Sequence, residues 1–188
     1  CYTFLNWTEG GTVVSSTASY TFAASANRTL VANFSQTTYT IATSSSPAAG
    51  GTTTGGGVKN CGTSVTVTAT ANAGYSFLNW TEGATVVSST ATYTFTASAN
   101  RTLVANFTQI PTYTITTSSS PTTGGTTTGG GSVLSGSNVT VTATAAACYT
   151  FLNWTEGGTV VSSTASYTFA ASANRTLVAN FSQTTYTI

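Results

Sequence analysis

The sequence contains no histidine, no aspartate and no methionine, and it carries very little charge. Its charged residues are Arg28, Lys59, Arg101, Arg175, Glu9, Glu82 and Glu156. Such a chain offers no ordinary catalytic triad and no metal-ligand cluster. The glutamates are copies of one repeated position, so no unit holds the pair of carboxylates that acid–base catalysis uses. We predict no catalytic residue, no metal and no cofactor, and a protein that is not an enzyme.

The scarcity of charge and of long apolar runs argues against two further classes of protein. A nucleic-acid-binding surface needs clustered lysine and arginine, and the net charge here is only +1. A membrane-spanning helix needs about 20 consecutive apolar residues, and no run in this sequence approaches that length. We therefore expect no nucleic-acid partner and no membrane insertion in this segment.

Threonine is abundant and fills 46 of the 188 positions, and serine, glycine, valine, tyrosine and phenylalanine supply much of the rest. β-Branched and aromatic side chains fit a pleated, half-buried surface. Disordered chains, in contrast, lack aromatic residues and are usually highly charged. The composition therefore predicts an all-β protein.

The chain is repetitive. Residues 1–41 recur without a change at 148–188, an offset of 147 residues, and a weaker copy lies halfway between them. The basic unit is therefore about 73–74 residues long. We predict a partial repeat made of the C-terminal strands of a unit, two complete repeats and the start of a further one, at 1–35, 38–108, 112–182 and 183–188 respectively. We expect the chain to be a section of a longer array.

One unit contains five segments with the pattern of β-strands. In the first complete repeat they lie at 38–43, 64–70, 75–80, 85–95 and 102–107. The second alternates most clearly, with Val65, Val67 and Ala69 on one face. The third is apolar on both faces and is predicted to be central, and the fourth is predicted to bend near Ser88. A Gly/Thr-rich turn region at 50–57 separates the first two strands.

The order of aromatic landmarks along each unit resembles the divergent internalin-type B repeats of the Listeria–Bacteroides repeat group. The residues that carry the resemblance are Tyr2, Phe4, Trp7, Tyr20, Phe22 and Leu30–Phe34 in one copy, with Tyr75, Trp80, Phe95 and Phe107 in the next. The resemblance implies small β-grasp-like domains in tandem on surface proteins, without catalytic residues. The chain departs from the family in its shortage of charge and in its cysteines.

Cys1 and Cys148 occupy the same position of the repeat, so each period contains two cysteines, which suits one disulfide. The two lie at opposite ends of a strand, too far apart for a bridge within one unit. If the first two strands form a hairpin, Cys61 faces the following unit, where Cys148 lies. We predict a Cys61–Cys148 disulfide across the joint, with Cys1 paired outside these residues.

Two alternatives stay open for the cysteines, namely free buried thiols and a bridge between separate chains. Any disulfide indicates an oxidising setting outside the cytoplasm. The Gly-Gly-Gly runs at 55–57 and 129–131 lack the residues of a phosphate loop, and they indicate flexible turns or close packing between units. The arginine and the glutamate of each unit are interpreted as solvated surface charges, with an ion pair across a joint as the alternative.

Asn27, Asn100 and Asn174 each begin an Asn-X-Thr triplet in the "SANRT" loop and are the candidate glycosylation acceptors. Asn-X-Thr triplets also begin at Asn6, Asn79 and Asn153. These lie in a predicted strand and are expected to be inaccessible to glycosylation. An unmodified loop or turn asparagine is the alternative interpretation for Asn27, Asn100 and Asn174.

The function expected from these features is structural. We predict an extracellular filament or a cell-surface stalk, with domains stacked head to tail as a rod or fibre and joined by disulfides. Its partners would be other copies of itself. The alternative is an adhesin or carbohydrate-binding repeat that contacts surface glycans through tyrosine or tryptophan, and full burial of Trp80 would count against it.

Overall fold

The structure, a computed structural model, describes residues 1–185 and divides the chain into two compact units, Cys1–Gln109 and Ile110–Ile188. The first unit contains the incomplete repeat and one complete repeat, and the second contains the other complete repeat. Half of the predicted start of a further repeat at 183–188, namely residues 186–188, lies outside the described residues. The predicted repeat boundaries stay predictions.

The incomplete repeat forms one antiparallel sheet with the strand order β2-β1-β3. Its strands are β1 (Tyr2–Glu9), β2 (Thr12–Ser15) and β3 (Val31–Gln36).

The complete repeat that follows has eight strands in two sheets. They are β4 (Thr38–Ser46), β5 (Gly51–Thr54), β6 (Gly57–Asn60), β7 (Ser64–Ala71), β8 (Tyr75–Glu82), β9 (Thr85–Ser88), β10 (Thr92–Thr96) and β11 (Arg101–Gln109). The five-stranded sheet has the order β6-β4-β11-β8-β9, and the three-stranded sheet has the order β10-β7-β5. A single 3-10 turn, Ala48–Gly50, precedes β5.

The complete repeat of the second unit has the same arrangement. Its strands are β12 (Thr112–Ser120), β13 (Gly125–Thr128), β14 (Gly131–Leu134), β15 (Asn138–Ala145), β16 (Tyr149–Glu156), β17 (Thr159–Ser162), β18 (Ser166–Ala170) and β19 (Arg175–Gln183). The sheet orders are β14-β12-β19-β16-β17 and β13-β15-β18. The prediction of an all-β fold built from small tandem domains is confirmed.

The first and last strands of each complete repeat lie side by side at the centre of the larger sheet. β4 runs parallel to β11, from the pair Ile41↔Arg101 to the pair Ser46↔Asn106. The other strand pairs of the repeat are antiparallel. Because this pairing joins residues about 60 positions apart in sequence, the first strand of a repeat closes the sheet that its last strands build.

The core of each complete repeat lies between its two sheets. In the first unit it consists of Ile41, Val65, Val67, Ala69, Trp80, Ala97, Leu103, Ala105 and Phe107. The predicted inward face of β7 is confirmed, since Val65, Val67 and Ala69 are all buried. The corresponding residues of the second unit form an equivalent core around Trp154.

Two of the strand predictions are wrong in detail. The predicted turn region at 50–57 contains β5, whose residues pair with β7, and the first residue of β6, which pairs with β4. The predicted strand at 85–95 is two strands, because the chain leaves the larger sheet after β9 and enters the smaller one at β10. Short threonine- and glycine-rich segments carry too weak an apolar pattern to be recognised as strands.

A β-bulge explains why β8 looks apolar on both faces. Asn79 pairs with Asn106 and Phe77 pairs with Phe107, so Leu78 is the extra residue. The bulge lets Phe77 and Trp80, three positions apart, both face the core. Leu78 points away and remains 56% exposed, so the second face of this strand is uncovered.

Paired glycines allow the smaller sheet to approach the core phenylalanine. A Cβ on Gly50 would lie 2.7 Å from Phe107 Cβ, and one on Gly51 would lie 2.4 Å from both Phe107 Cζ and the Thr70 carbonyl oxygen. A Cβ on Gly55 would lie 2.1 Å from the Thr66 carbonyl oxygen. Gly55 and Gly56 of the Gly-Gly-Gly run thus pack closely within their own repeat, whereas Gly57 has open space around it.

Replacing Gly51 by alanine should destabilise the first unit by about 1–3 kcal/mol, because the new methyl group overlaps backbone that cannot move freely. A matched control is Gly83→Asn, at a φ of +57° with open space around it, which asparagine adopts at low cost. Urea unfolding of both variants measures the difference. Equal midpoints for G51A and the native chain would contradict this packing.

Candidate functional site: the joint between repeats

A single residue, Thr37, connects the incomplete repeat to the complete repeat of the first unit, and hydrogen bonds fix it on both sides. The Thr37 N–H donates to the Cys1 carbonyl oxygen at 2.8 Å, and the Cys61 N–H donates to the Thr37 carbonyl oxygen at 2.8 Å. These bonds bring the two cysteines to the same place. Cys1 and Cys61 form a disulfide with Cα atoms 5.3 Å apart, within the range that a bridge requires.

The predicted Cys61–Cys148 pairing is therefore wrong. The prediction assumed that β7 begins where β4 ends. Instead β6 pairs antiparallel with β4, with Asn60 opposite Thr38, and this carries the chain back to the pole at which β4 begins. Cys61 consequently faces the preceding repeat, and Cys1 is bonded inside the chain, not outside it.

Cys148 is a free, exposed thiol in the described residues. It occupies the position of Cys1, since the Thr184 N–H donates to the Cys148 carbonyl oxygen at 2.7 Å. Its φ of 62° lies in the left-handed region, where the equivalent residue of the preceding repeat is Gly74. A non-glycine residue in this region is disfavoured, so the local fold does not explain why a cysteine stands there.

Each repeat also contains an arginine that binds a glutamate and two aromatic rings. Arg101 Nε and Nη2 donate to Glu82 Oε2 at 3.0 and 2.8 Å, and Nη1 donates to the Tyr93 hydroxyl at 3.1 Å. The guanidinium carbon lies 4.4 Å from the centre of the Phe95 ring, a distance that gives a cation–π attraction. The same cluster surrounds Arg28 and Arg175.

The arginines and glutamates are therefore not the solvated charges that the sequence suggested. The hydrogen bond from Arg101 holds the pKa of Glu82 below its ordinary value, and Arg175 lowers the pKa of Glu156 in the same way. The regular spacing could have revealed the cluster, because each arginine follows its glutamate by 19 residues and its tyrosine by 8.

Among the described residues, no pocket is found, and no group of histidine, cysteine, aspartate and glutamate side chains is arranged to hold a metal ion. Within residues 1–185, no helix is long and apolar enough to span a bilayer.

The family profile described as "Divergent InlB B-repeat domain" matches three consecutive segments, residues 1–38, 40–111 and 114–185. The chain belongs to the divergent InlB B-repeat family. The resemblance drawn from the aromatic landmarks is thereby confirmed, and the family is associated with cell-surface proteins. No curated protein and no solved structure matches the chain.

The candidate glycosylation acceptors of these B-repeats differ in their surroundings. Asn100 and Asn174 are exposed, and their Oδ1 atoms accept the N–H of Thr40 and Thr114 at 2.8 Å. Asn27 is exposed as well. At Asn100 and Asn174 the amide nitrogen, the atom that carries a glycan, makes no hydrogen bond to any residue that the structure describes. Their glycosylation stays a prediction.

The B-repeats should lose stability as the pH falls below about 4.3, the pKa of glutamate in an unfolded chain. The folded glutamates have lowered pKa values, so the unfolded state binds more protons and stability rises with pH. No other side chain of this sequence titrates in that range. Thermal unfolding between pH 7 and pH 2.5 measures the effect.

The matched control for the acid effect is the triple variant Glu9→Gln, Glu82→Gln, Glu156→Gln. It should show a nearly flat dependence of the melting temperature on pH. Parallel curves for the native chain and this variant would contradict the assignment of acid sensitivity to the arginine clusters.

Peptide mapping checks the disulfide directly, because trypsin places each cysteine in a different peptide: 1–28, 60–101 and 102–175. Without reductant, peptide 1–28 should be linked to 60–101. Cys148 alone should react with iodoacetamide in the native chain. A link between 60–101 and 102–175 would overturn the Cys1–Cys61 pairing.

Proposed function

We propose that this chain is a structural repeat protein of an extracellular filament or cell-surface stalk, in which domains stack head to tail and disulfides join neighbouring repeats. The observation that carries the proposal is the joint at Thr37. There a one-residue connection, two backbone hydrogen bonds and the Cys1–Cys61 disulfide tie one repeat to the next. Such a joint limits bending and stretching between repeats.

The position of Cys148 extends this arrangement along an array. In a chain that continues with a further repeat of the Cys61 type, Cys148 would meet a cysteine as Cys1 meets Cys61. Every second joint would then carry a disulfide, because Gly74 and Ser135 take the places of the two cysteines at the joint in between. A thiol at this left-handed position is thus explained by cross-linking.

The distribution of charge supports an assembly role. Within the described residues, every glutamate is bound to the arginine of its own repeat, and the remaining cation, Lys59, lies on the edge strand β6. The outer surface is therefore nearly neutral and rich in threonine, whereas soluble monomeric domains usually carry many surface charges. Little electrostatic repulsion opposes the close approach of neighbouring copies.

The edge strands modify this proposal. Sheet edges without charges promote strand pairing between copies. Here β5, β6 and β9 contain only four residues each and β10 contains five, and such short edges limit that pairing. End-to-end joints are accordingly the main assembly contact in the proposed filament.

A structural role also fits the state of the glutamates and the tryptophans. Each glutamate is held ionised by an arginine, which makes it a poor general acid and supports a protein without catalytic activity. Trp80 and Trp154 have no exposed surface, so they cannot stack on a sugar ring. This burial counts against the alternative of a carbohydrate-binding adhesin.

Electron microscopy of the native material, with and without reductant, tests the proposed function. We expect rods or fibres with an axial repeat that matches one or two domains, and looser or bent rods after reduction. The variant Cys1→Ser, Cys61→Ser should reproduce the reduced form without reductant. Dispersed compact particles without an axial repeat, or rods indifferent to both treatments, would contradict the disulfide-joined filament.

A further inference from the structure

One backbone position recurs at each joint between consecutive repeats, and we call its occupant the joint residue. In the first joint it is Thr37, whose carbonyl oxygen accepts the Cys61 N–H at 2.8 Å. In the second it is Pro111, whose carbonyl oxygen accepts the Ser135 N–H at the same distance. After the last complete repeat it is Thr184. The joints are therefore of two kinds, two threonine joints and one proline joint.

The threonine joints are attached to the repeat that precedes them by a backbone hydrogen bond. The Thr37 N–H donates to the Cys1 carbonyl oxygen at 2.8 Å, and the Thr184 N–H donates to the Cys148 carbonyl oxygen at 2.7 Å. Proline has no N–H to donate. Pro111 therefore cannot make the corresponding bond, although its carbonyl oxygen is held like that of Thr37.

The proline joint also lacks a covalent link. At the first joint Cys1 and Cys61 form a disulfide, with Cα atoms 5.3 Å apart. Their counterparts at the proline joint are Gly74 and Ser135, which contain no sulfur. Two attachments fix the first joint to the preceding repeat, and the joint residue and its neighbours at the proline joint can form neither of them.

The connection at the proline joint is one residue longer. Four residues separate Phe34 from Tyr39, whereas five separate the equivalent Phe107 from Tyr113. The additional residue is Ile110, which directly precedes the proline. The weaker joint thus has the longer connection.

Ile110 lies between two residues that are each held in place. Gln109 is the last residue of β11 and pairs with Tyr75, and the Pro111 carbonyl oxygen is bound by Ser135. The two compact units meet in sequence between Gln109 and Ile110. A proline fixes its own φ and keeps the residue before it extended. The φ of Ile110 is therefore the principal backbone angle that can vary in this connection.

We propose that the chain bends at Ile110, and that its rigid element is a pair of repeats connected through a threonine joint instead of a single repeat. Hinges are formed by a few residues at the ends of elements that absorb a change of backbone angle, and Ile110 meets this description. Along an array with this sequence, one such bending point recurs in every period of 147 residues. The inference concerns the joints of the chain itself and does not rest on the proposed filament.

A rebuilt joint tests the proposal on the full chain. The substitutions Gly74→Cys, Ser135→Cys and Pro111→Thr, together with the removal of Ile110, copy the first joint into the proline joint. The control chain keeps the native joint. Both chains also carry Cys148→Gly, so that no third thiol competes for the new disulfide, and peptide mapping establishes that this disulfide has formed.

NMR relaxation of the backbone amides measures how fast each unit tumbles. The rotational correlation time increases with the mass of the rigid body, and the unit Ile110–Ile188 contains less than half of the chain. In the control chain its amides should therefore show a correlation time up to about twofold shorter than in the rebuilt chain. Equal correlation times in the two chains would overturn the proposal, because the native joint would then be as rigid as the rebuilt one.

A second measurement uses the native chain alone and decides the question if the rebuilt chain does not fold. Residual dipolar couplings in a weakly aligning medium report the degree of alignment of each unit separately. Bending at Ile110 averages the orientation of one unit with respect to the other, so the two units should align to different degrees. Couplings that fit one common alignment in both units would overturn the proposal.

Discussion

The structure of each repeat depends on one contact, the parallel pairing of its first strand with its last. β4 lies beside β11, and β12 lies beside β19. The strands in between build a hairpin and a second sheet, in which β7 pairs with β10 and β15 with β18. Together with that sheet, the parallel pairing brings the two halves of a repeat over a common tryptophan and phenylalanine. Because a repeat of this size has a small core, losing half of it leaves apolar side chains in water, as Phe34 shows, which is 57% exposed whereas its counterpart Phe181 is 5% exposed.

The same contact determines where the ends of a repeat lie and hence what a joint can do. β6 returns along β4, so Cys61 lies beside Thr37, where the preceding repeat ends. The arginine clusters neutralise charge within a repeat, whereas hydrogen bonds and the disulfide connect one repeat to the next. Stability within repeats and connection between repeats are thus carried by different residues, which suits a linear assembly in which each repeat contacts mainly its neighbours.

Much of this architecture was predictable from the sequence. Identical residues at a fixed offset revealed the repeat, and alternation revealed β7 and the inward face that contains Val67. The cysteine pairing was not predictable, because it depended on β6, a strand of four residues without a strong apolar pattern. The limit is clearest at Ser166–Ala170, which is a strand in one copy and not in the other although the sequence is the same. Local sequence cannot predict this difference, because the presence of a partner strand determines whether these residues form a strand.

Amide hydrogen exchange of the unmodified chain tests the dependence on this contact most directly. Peptides from 1–36 and 148–183 have the same sequence and mass, so mass spectrometry records both copies in one isotope pattern. If pairing with the first strand protects the last strand of a repeat, peptides from that last strand should give two isotope envelopes of equal area. The slowly exchanging envelope comes from β19, and the rapidly exchanging one comes from β3. A single envelope at all exchange times would show that the copies are equally protected, and it would contradict the claim that a repeat is completed by its first strand.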